Sequence, residues 1–445
     1  MPPLPYTYEE LLGATVAEAL AADGFAPTSN CHVTVHSALS GRPLPPLALC
    51  SAADARQAVT HGREAGGLWS AAGAAARLTA VTRLRKDVCA GRAVFLRVLR
   101  HCAGLGAADA AEEWRETERL LRHAPKGFVP AMRWWRRAPY RAYAGEHADV
   151  VPSVTVSYGD DARPLASLFE GALPTLLNGG AVITEVSARS APVALVAAAM
   201  ARGAGLPPRV WQVAVRGEAT NGLSGSALRA VLAEHADAVA PLCCPPDTSG
   251  PGRARPRPPS LLVLRHDGSA RAAARGAVQA CFARAGRGCA ATPLVAVHAS
   301  RATDFLENFR REAAAFTYTT ALPDDHHLAR LTDWTNTYVA AGARSLLPDR
   351  HAAGRLPDVA LPVPAPVLLV DPAALNDSRP EIPLGPIALV TRFTHWAEVL
   401  DHARHSGHHL GIFTRTQLSQ LAPQFAALPA RSIHLNQPPR AGLLP

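Results

Sequence analysis

The chain is predicted to fold as α/β, with two layered units, on three observations. Short β-branched runs alternate with Ala-rich helical stretches of ten to fifteen residues. That alternation occurs in two blocks, and the interval Cys243–Ser260 between them is Pro, Gly and Arg with almost no apolar content. The chain has 445 residues, 48% of them apolar, more than one core usually supports and enough to fill two.

In the first block, Ala181–Val186 is predicted as a strand, and Ala191–Ala204 as a helix closed by Gly205 and Pro207. Val210–Val215 follows as a strand, Leu223–His235 as a helix and Ala238–Leu242 as a third buried strand. This repeat is that of a doubly wound sheet. In the second block the order is strand Leu261–Leu264, helix Ser269–Arg284, a turn, strand Leu294–Val297 and helix Ala302–Glu312.

That turn, within Ala277–Val297, is the most informative part of the chain. It sets Cys289 between an apolar helix and an apolar strand, with Gly286 and Gly288 bringing backbone near Sγ and leaving amides to meet a bound carbonyl. An exposed nucleophilic thiol belongs in such a place; the plainer reading is a small apolar residue in a turn. The eight cysteines (31, 50, 89, 102, 243, 244, 281 and 289) show no paired spacing, so reduced thiols are expected rather than a disulfide framework or zinc site.

Net charge is +9, but only Lys86 and Lys126 are lysines and the arginines are scattered, which is not a phosphate-binding stripe. The local exception, Arg133–Tyr143, combines Trp134, Trp135 and Tyr140 with arginines; base stacking and subunit contact both suit it, and nucleic acid is not the expected partner. Apolar runs stop well short of about 20 residues and the start lacks a signal-like core, so a cytoplasmic protein without membrane spans is expected. His402, His405, His408 and His409 have partly metal-like spacing, but a solvated helix end explains them, and no metal is assigned. His326–His327 reads as a loop pair, and Ser224–Ser226 lacks the Gly-x-Ser-x-Gly elbow and suits a helix N-cap.

The helix, turn, cysteine and strand around Cys289 resemble the nucleophile segment of the aldehyde dehydrogenase superfamily. Ser40–Leu84, with Trp69 and Arg77, is similar to its opening hairpin and first helices, and Ala172–Val215 to its cofactor-binding β-α-β unit. PEIPLGPIALVTRF and the strand ending in Asn436 resemble its later motifs, while LPPRVWQVAV and ARGAVQACFARAG are nearest in wording to succinate-semialdehyde dehydrogenases. The resemblance implies a dinucleotide-binding domain over 1–126 and 152–242, an arm over 127–151, a linker over 243–260, a catalytic domain over 261–436 carrying Cys289, and a shortened tail over 437–445. It implies NAD as cofactor, a small aldehyde as substrate and a homo-oligomer, although the short tail puts the family's dimer in question.

Several of the superfamily's positions are changed. The oxyanion asparagine falls on Ala162, and no residue matches the general base, because Asp247–Asp267 encloses no carboxylate. The ribose-binding lysine falls on Glu185, which disfavours the 2′-phosphate of NADP. The nicotinamide-ribose glutamate aligns with Ile382, leaving Glu381 one residue early, and Leu384 takes the ring-packing phenylalanine position. Three activities remain compatible: NAD-dependent aldehyde oxidation through Cys289, acyl transfer or acyl-CoA reduction on the same thiol, and a catalytically silent binding partner.

Overall fold

In a computed structural model, the described residues are 6–12, 31–123, 153–217, 225–239, 260–288, 290–322, 325–347, 361, 366–370, 382–383, 385–405, 409–425, 430 and 432–439. They form two compact units, Met1–Ala254 with Leu443–Pro445, and Arg255–Gly442. The predicted arm and Arg133–Tyr143 lie outside the described residues, as do 243–259 of the predicted linker.

The first unit opens with α1 (Tyr8–Leu12) and an antiparallel pair, β1 (His32–Val33) and β2 (Leu47–Ala48). Helix α2 (Ala52–Ala71) starts at a capping box, in which Ser51 Oγ accepts from Asp54 N and the Asp54 carboxylate accepts from Ser51 N. Helices α3 (Gly73–Ala90), α4 (Arg92–His101) and α5 (Ala107–His123) follow. Trp69 Nε1 donates to Leu176 O at 2.7 Å and Arg77 Nε to Leu177 O at 3.0 Å, satisfying carbonyls in the last turn of α6 (Ala166–Asn178).

A parallel sheet centres the unit, with β3 (Val154–Tyr158), β4 (Ala181–Val186), β5 (Trp211–Val215) and β6 (Ala238–Val239) in the order β5-β4-β3-β6. Alternation along β4 sends Val182 and Val186 into a core shared with α6 and α7 (Ala191–Gly203), and Ile183 into one shared with α2 and α8 (Gly225–His235). The third strand differs from expectation: its described part is two half-buried residues, Ala238 and Val239, because β6 pairs with β3 at one edge of the sheet.

The second unit has a seven-stranded sheet. Its members are β7 (Leu261–Leu264), β8 (Leu294–His298), β9 (Arg344–Ser345), β10 (Val367–Val370), β11 (Ile387–Phe393), β12 (His409–Phe413) and β13 (Ser432–Leu435). The order is β13-β12-β7-β8-β11-β10-β9, and only β9 pairs antiparallel. Leu261 and Val263 face one core, while Leu262 and Leu264 face the other beneath α9 (Ala270–Phe282) and α10 (Ala302–Ala315). Helices α11 (Asp325–Ala340), α12 (Trp396–His405) and α13 (Leu418–Phe425) complete the unit.

Two predicted helix ends move by more than one residue. Helix α9 ends at Phe282 rather than Arg284, because Arg284 and Ala285 take φ of 54° and a short 3-10 turn, Ala283–Gly286, replaces the last helical turn. Helix α10 runs three residues past Glu312, burying Ala313 in the core. In the tail, Pro439 lies over β12, where a Cβ on Gly411 would stand 2.7 Å from Pro439 Cδ. Pro439 therefore lies on a sheet face, while Pro438 comes near Gly276 of α9; both places differ from the sheet edge that such residues often blunt.

Candidate active site

The thiol turn is built by backbone conformation. Arg284, Ala285 and Gly286 are consecutive left-handed residues, with φ of 54°, 54° and 65°. A Cβ on Gly286 would lie 1.9 Å from Gly385 O, so the turn rests directly on the backbone that leads into β11. Beyond it, Arg287 is buried with Nη1 3.4 Å from Ala321 O, Ala291 N donates to Gly288 O at 2.9 Å across position 289, and Thr292 N returns to Ala280 O at 3.0 Å. The connection from α9 to β8 is thereby tied at both ends.

Cys289 itself lies outside the described residues, as do Glu381 and Leu384. Ile382, which the sequence resemblance aligns with the ribose-binding glutamate, is half-buried against the apolar core of the second unit. The neighbouring thiol, Cys281, is fully buried, its Sγ 2.9 Å from Thr292 O; burial pushes its pKa up and keeps it protonated. Cys289 is therefore the thiol of this segment left to consider as nucleophile.

In the first unit, Glu185 is at the carboxyl end of β4 with no solvent exposure. Its Oε1 accepts from Arg216 Nη1 at 3.0 Å and its Oε2 from Arg229 Nε at 2.9 Å. Arg216 reaches Asp161 Oδ2 at 2.7 Å, and Asp161 Oδ1 accepts from the Ser187 and Ser190 hydroxyls. Burial opposes the Arg216 charge, but the Asp161 and Glu185 carboxylates override it and hold its pKa above the ordinary value. Tyr158, beneath Arg229, is pushed up to about 12 by burial and the Glu185 charge.

Ala162, which the sequence resemblance aligns with the oxyanion asparagine, is buried, and its amide donates to Asp160 Oδ1 at 2.9 Å. Its methyl offers no donor. The next residue, Arg163, is engaged by Glu116 and Glu170. At the start of α6, the Leu165 and Ala166 amides both donate to Glu113 Oε1, at 2.9 and 2.8 Å.

These arrangements test the fit of a nicotinamide dinucleotide. The donors at this end of the sheet that would meet phosphate or ribose already meet carboxylates from within the chain. As arranged, these described donors do not fit a dinucleotide phosphate. Arg216 directly follows the predicted strand Val210–Val215, a legible sign of charge at a strand end, whereas Asp161 lies past β3, which is not among the predicted strands. Glu113 gives no such sign, because it comes from a helix about fifty residues earlier.

Among the described residues no group of three His, Cys, Asp or Glu side chains is placed to hold a metal. His409 is buried with Nδ1 2.7 Å from Ser432 Oγ, and His326 and His327 stack edge-on at 6.3 Å. The side chains of His402 and His405, and all of His408 and Ser224, lie outside the description, as does the Ser226 side chain. No described helix is long and apolar enough to cross a membrane.

Residues 260–441 match the aldehyde dehydrogenase family. Among solved structures, an NAD-dependent benzaldehyde dehydrogenase from Corynebacterium glutamicum shares 18% identity at a TM-score of 0.73, covering 94% of this chain and 92% of that one. An indole-3-acetaldehyde dehydrogenase in complex with NAD+ shares 21% at 0.74, covering 93% and 86%. An NADP-dependent glyceraldehyde-3-phosphate dehydrogenase from Bacillus halodurans C-125, complexed with NADP, shares 15% at 0.73, covering 94% and 90%. No curated protein matches at the sequence level. Residues 260–441 thus match the aldehyde dehydrogenase family by sequence, and the chain shares the α/β fold of solved aldehyde dehydrogenases over nearly its whole length.

Proposed function

We propose that the chain acts on aldehydes through Cys289, within the general class of aldehyde oxidation that its family match and fold support. The Cys289 thiolate adds to the carbonyl carbon, the carbonyl oxygen takes up a proton, and a thiohemiacetal results. The observation that carries this reading is the turn at Arg284–Gly286. Three left-handed residues and a backbone contact too close for any side chain are a costly arrangement, of the kind found where a loop is held for chemistry.

With no asparagine at the position that the resemblance assigns to the oxyanion, backbone amides of the Cys289 turn are left to meet it, a loss of about 10²–10³ in rate beside a site with the side-chain amide. The solved relatives are named for different aldehydes, so the fold selects none; succinate semialdehyde is proposed from the wording of the sequence. NAD is proposed over NADP on the sequence, in which Glu185 stands where the superfamily's ribose-binding lysine falls, and Glu381 and Leu384 are its proposed further contacts. A cytoplasmic location accompanies this reading.

A second reading, a silent binding partner, is favoured by the internal carboxylates that engage the donors of the first unit. The two separate in a reduction assay with NAD and NADP against a panel of aldehydes including succinate semialdehyde, alongside protection of Cys289 from iodoacetamide. The first reading expects aldehydes to slow alkylation of Cys289 and Cys289→Ala to lack turnover. Alkylation unaffected by every aldehyde, with no reduced cofactor formed, would leave the binding partner.

A further inference from the structure

In an open parallel sheet, ligands bind beyond the carboxyl ends of the strands, where the strand order reverses, and pyrophosphate docks on the amides of the first helix. In the order β5-β4-β3-β6 the chain leaves β3 toward β4 and β5 and later returns to its other side at β6. The reversal therefore lies beside the carboxyl end of β3, where Gly159–Arg163 leads into α6. Phosphate in that place needs free amides and cations, and this chain has filled them.

The Leu165 and Ala166 amides hold Glu113, which is wholly buried. Arg163, in the same turn, holds Glu116 and Glu170. The Ser187 and Ser190 hydroxyls, beyond β4, hold Asp161. Arg216, beyond β5, bridges Asp161 and Glu185, and Arg229 closes on Glu185 from α8. Two sets thus form, Glu113, Glu116 and Glu170 around Arg163, and Asp161 and Glu185 against Arg216 and Arg229, so each of these cations already meets a carboxylate where a pyrophosphate would need it. Buried opposite charges are costly to separate, so the carboxylates are strong competitors for these donors.

We propose that the first unit holds its dinucleotide crevice closed with its own carboxylates, and that a nicotinamide dinucleotide enters only when they are displaced or neutralised. This rests on the reading that the first unit is where an aldehyde-oxidising chain takes its hydride acceptor. Asp161 is the movable member of the set, with its side chain 34% exposed, whereas Glu113 and Glu185 are buried. Displacing Asp161 frees two hydroxyls and one face of Arg216 together.

The test is calorimetric titration of the full chain with NAD and, separately, inorganic pyrophosphate. The proteins are the wild type, Asp161→Asn and Glu113→Gln, each first shown by thermal unfolding to be folded. The wild type is expected not to saturate below about 1 mM, and Asp161→Asn to bind NAD about tenfold tighter or more, the worth of one charge-assisted hydrogen bond. Micromolar binding by the wild type overturns the proposal, as does a folded Asp161→Asn that binds no tighter than wild type. If Glu113→Gln does not fold, Asp161→Asn decides alone. Aldehyde protection of Cys289 is read without dinucleotide, so the function can fail while the closed crevice stands, and the reverse.

Discussion

Arg163 is a charge kept deep in the first unit by three acidic neighbours. Burial works against the guanidinium, but the Glu170, Glu116 and Glu113 carboxylates outweigh it and raise its pKa further. Replacing Arg163 with Met leaves Glu116 and Glu170 without their cation, and a loss of about 3–5 kcal/mol is expected in urea unfolding; a loss under about 1 kcal/mol would show that the pair matters little. In the second unit, burial opposes ionisation of Asp267, yet the Thr414 and Thr416 hydroxyls and the Arg415 amide hold its pKa below the usual 3.8. A lowered carboxylate pKa gives stability that is full above the unfolded value and lost as pH falls through the folded one. Asp267→Asn should therefore be less stable than wild type at neutral pH, with the gap narrowing below about pH 4. A pH-independent gap would contradict the hydrogen-bond cause.

Among the elements, the turn after α9 and the carbonyl staple at the end of α6 set the two regions of interest. Gly286→Ala adds a side chain at φ 65° and forces a Cβ into Gly385 O. Strain of about 1–2 kcal/mol comes from the left-handed backbone alone, before the overlap. The variant should unfold at lower temperature and lose aldehyde protection of Cys289; a stable variant that keeps protection would show that the turn is not what positions the thiol. The strands around it were legible because short continuous apolar runs divide alternately between two cores, as Leu261–Leu264 does. The end of α9 was not, since Ala283, Arg284 and Ala285 are good helix formers whose backbone yields to the close approach of Gly385. Nor was the role of Glu185: its place on a strand is plain, but its partners come from β5's end and from α8, and a sequence does not show which side of a sheet those arginines return to.

Across the whole molecule, the proposed roles divide between the two α/β units, with the thiol turn in the second and donors met by internal acids in the first. The thiols make that division measurable. Cys50 and Cys102 are buried with pKa pushed up to about 12, and Cys281 is buried as well, while Cys31 and Cys89 are exposed. Native alkylation should therefore label Cys31 and Cys89 and spare Cys50, Cys102 and Cys281 until the chain is unfolded; early labelling of Cys281 would contradict its hydrogen bond to Thr292. The most direct test of a retained thiol site is p-nitrophenyl acetate without any cofactor, followed by mass-spectrometric mapping of the acyl group. The account predicts a burst of p-nitrophenol and acetyl on Cys289, prevented by prior addition of an aldehyde and absent in Cys289→Ala. Acetyl found elsewhere, or a burst unchanged in Cys289→Ala, would contradict it.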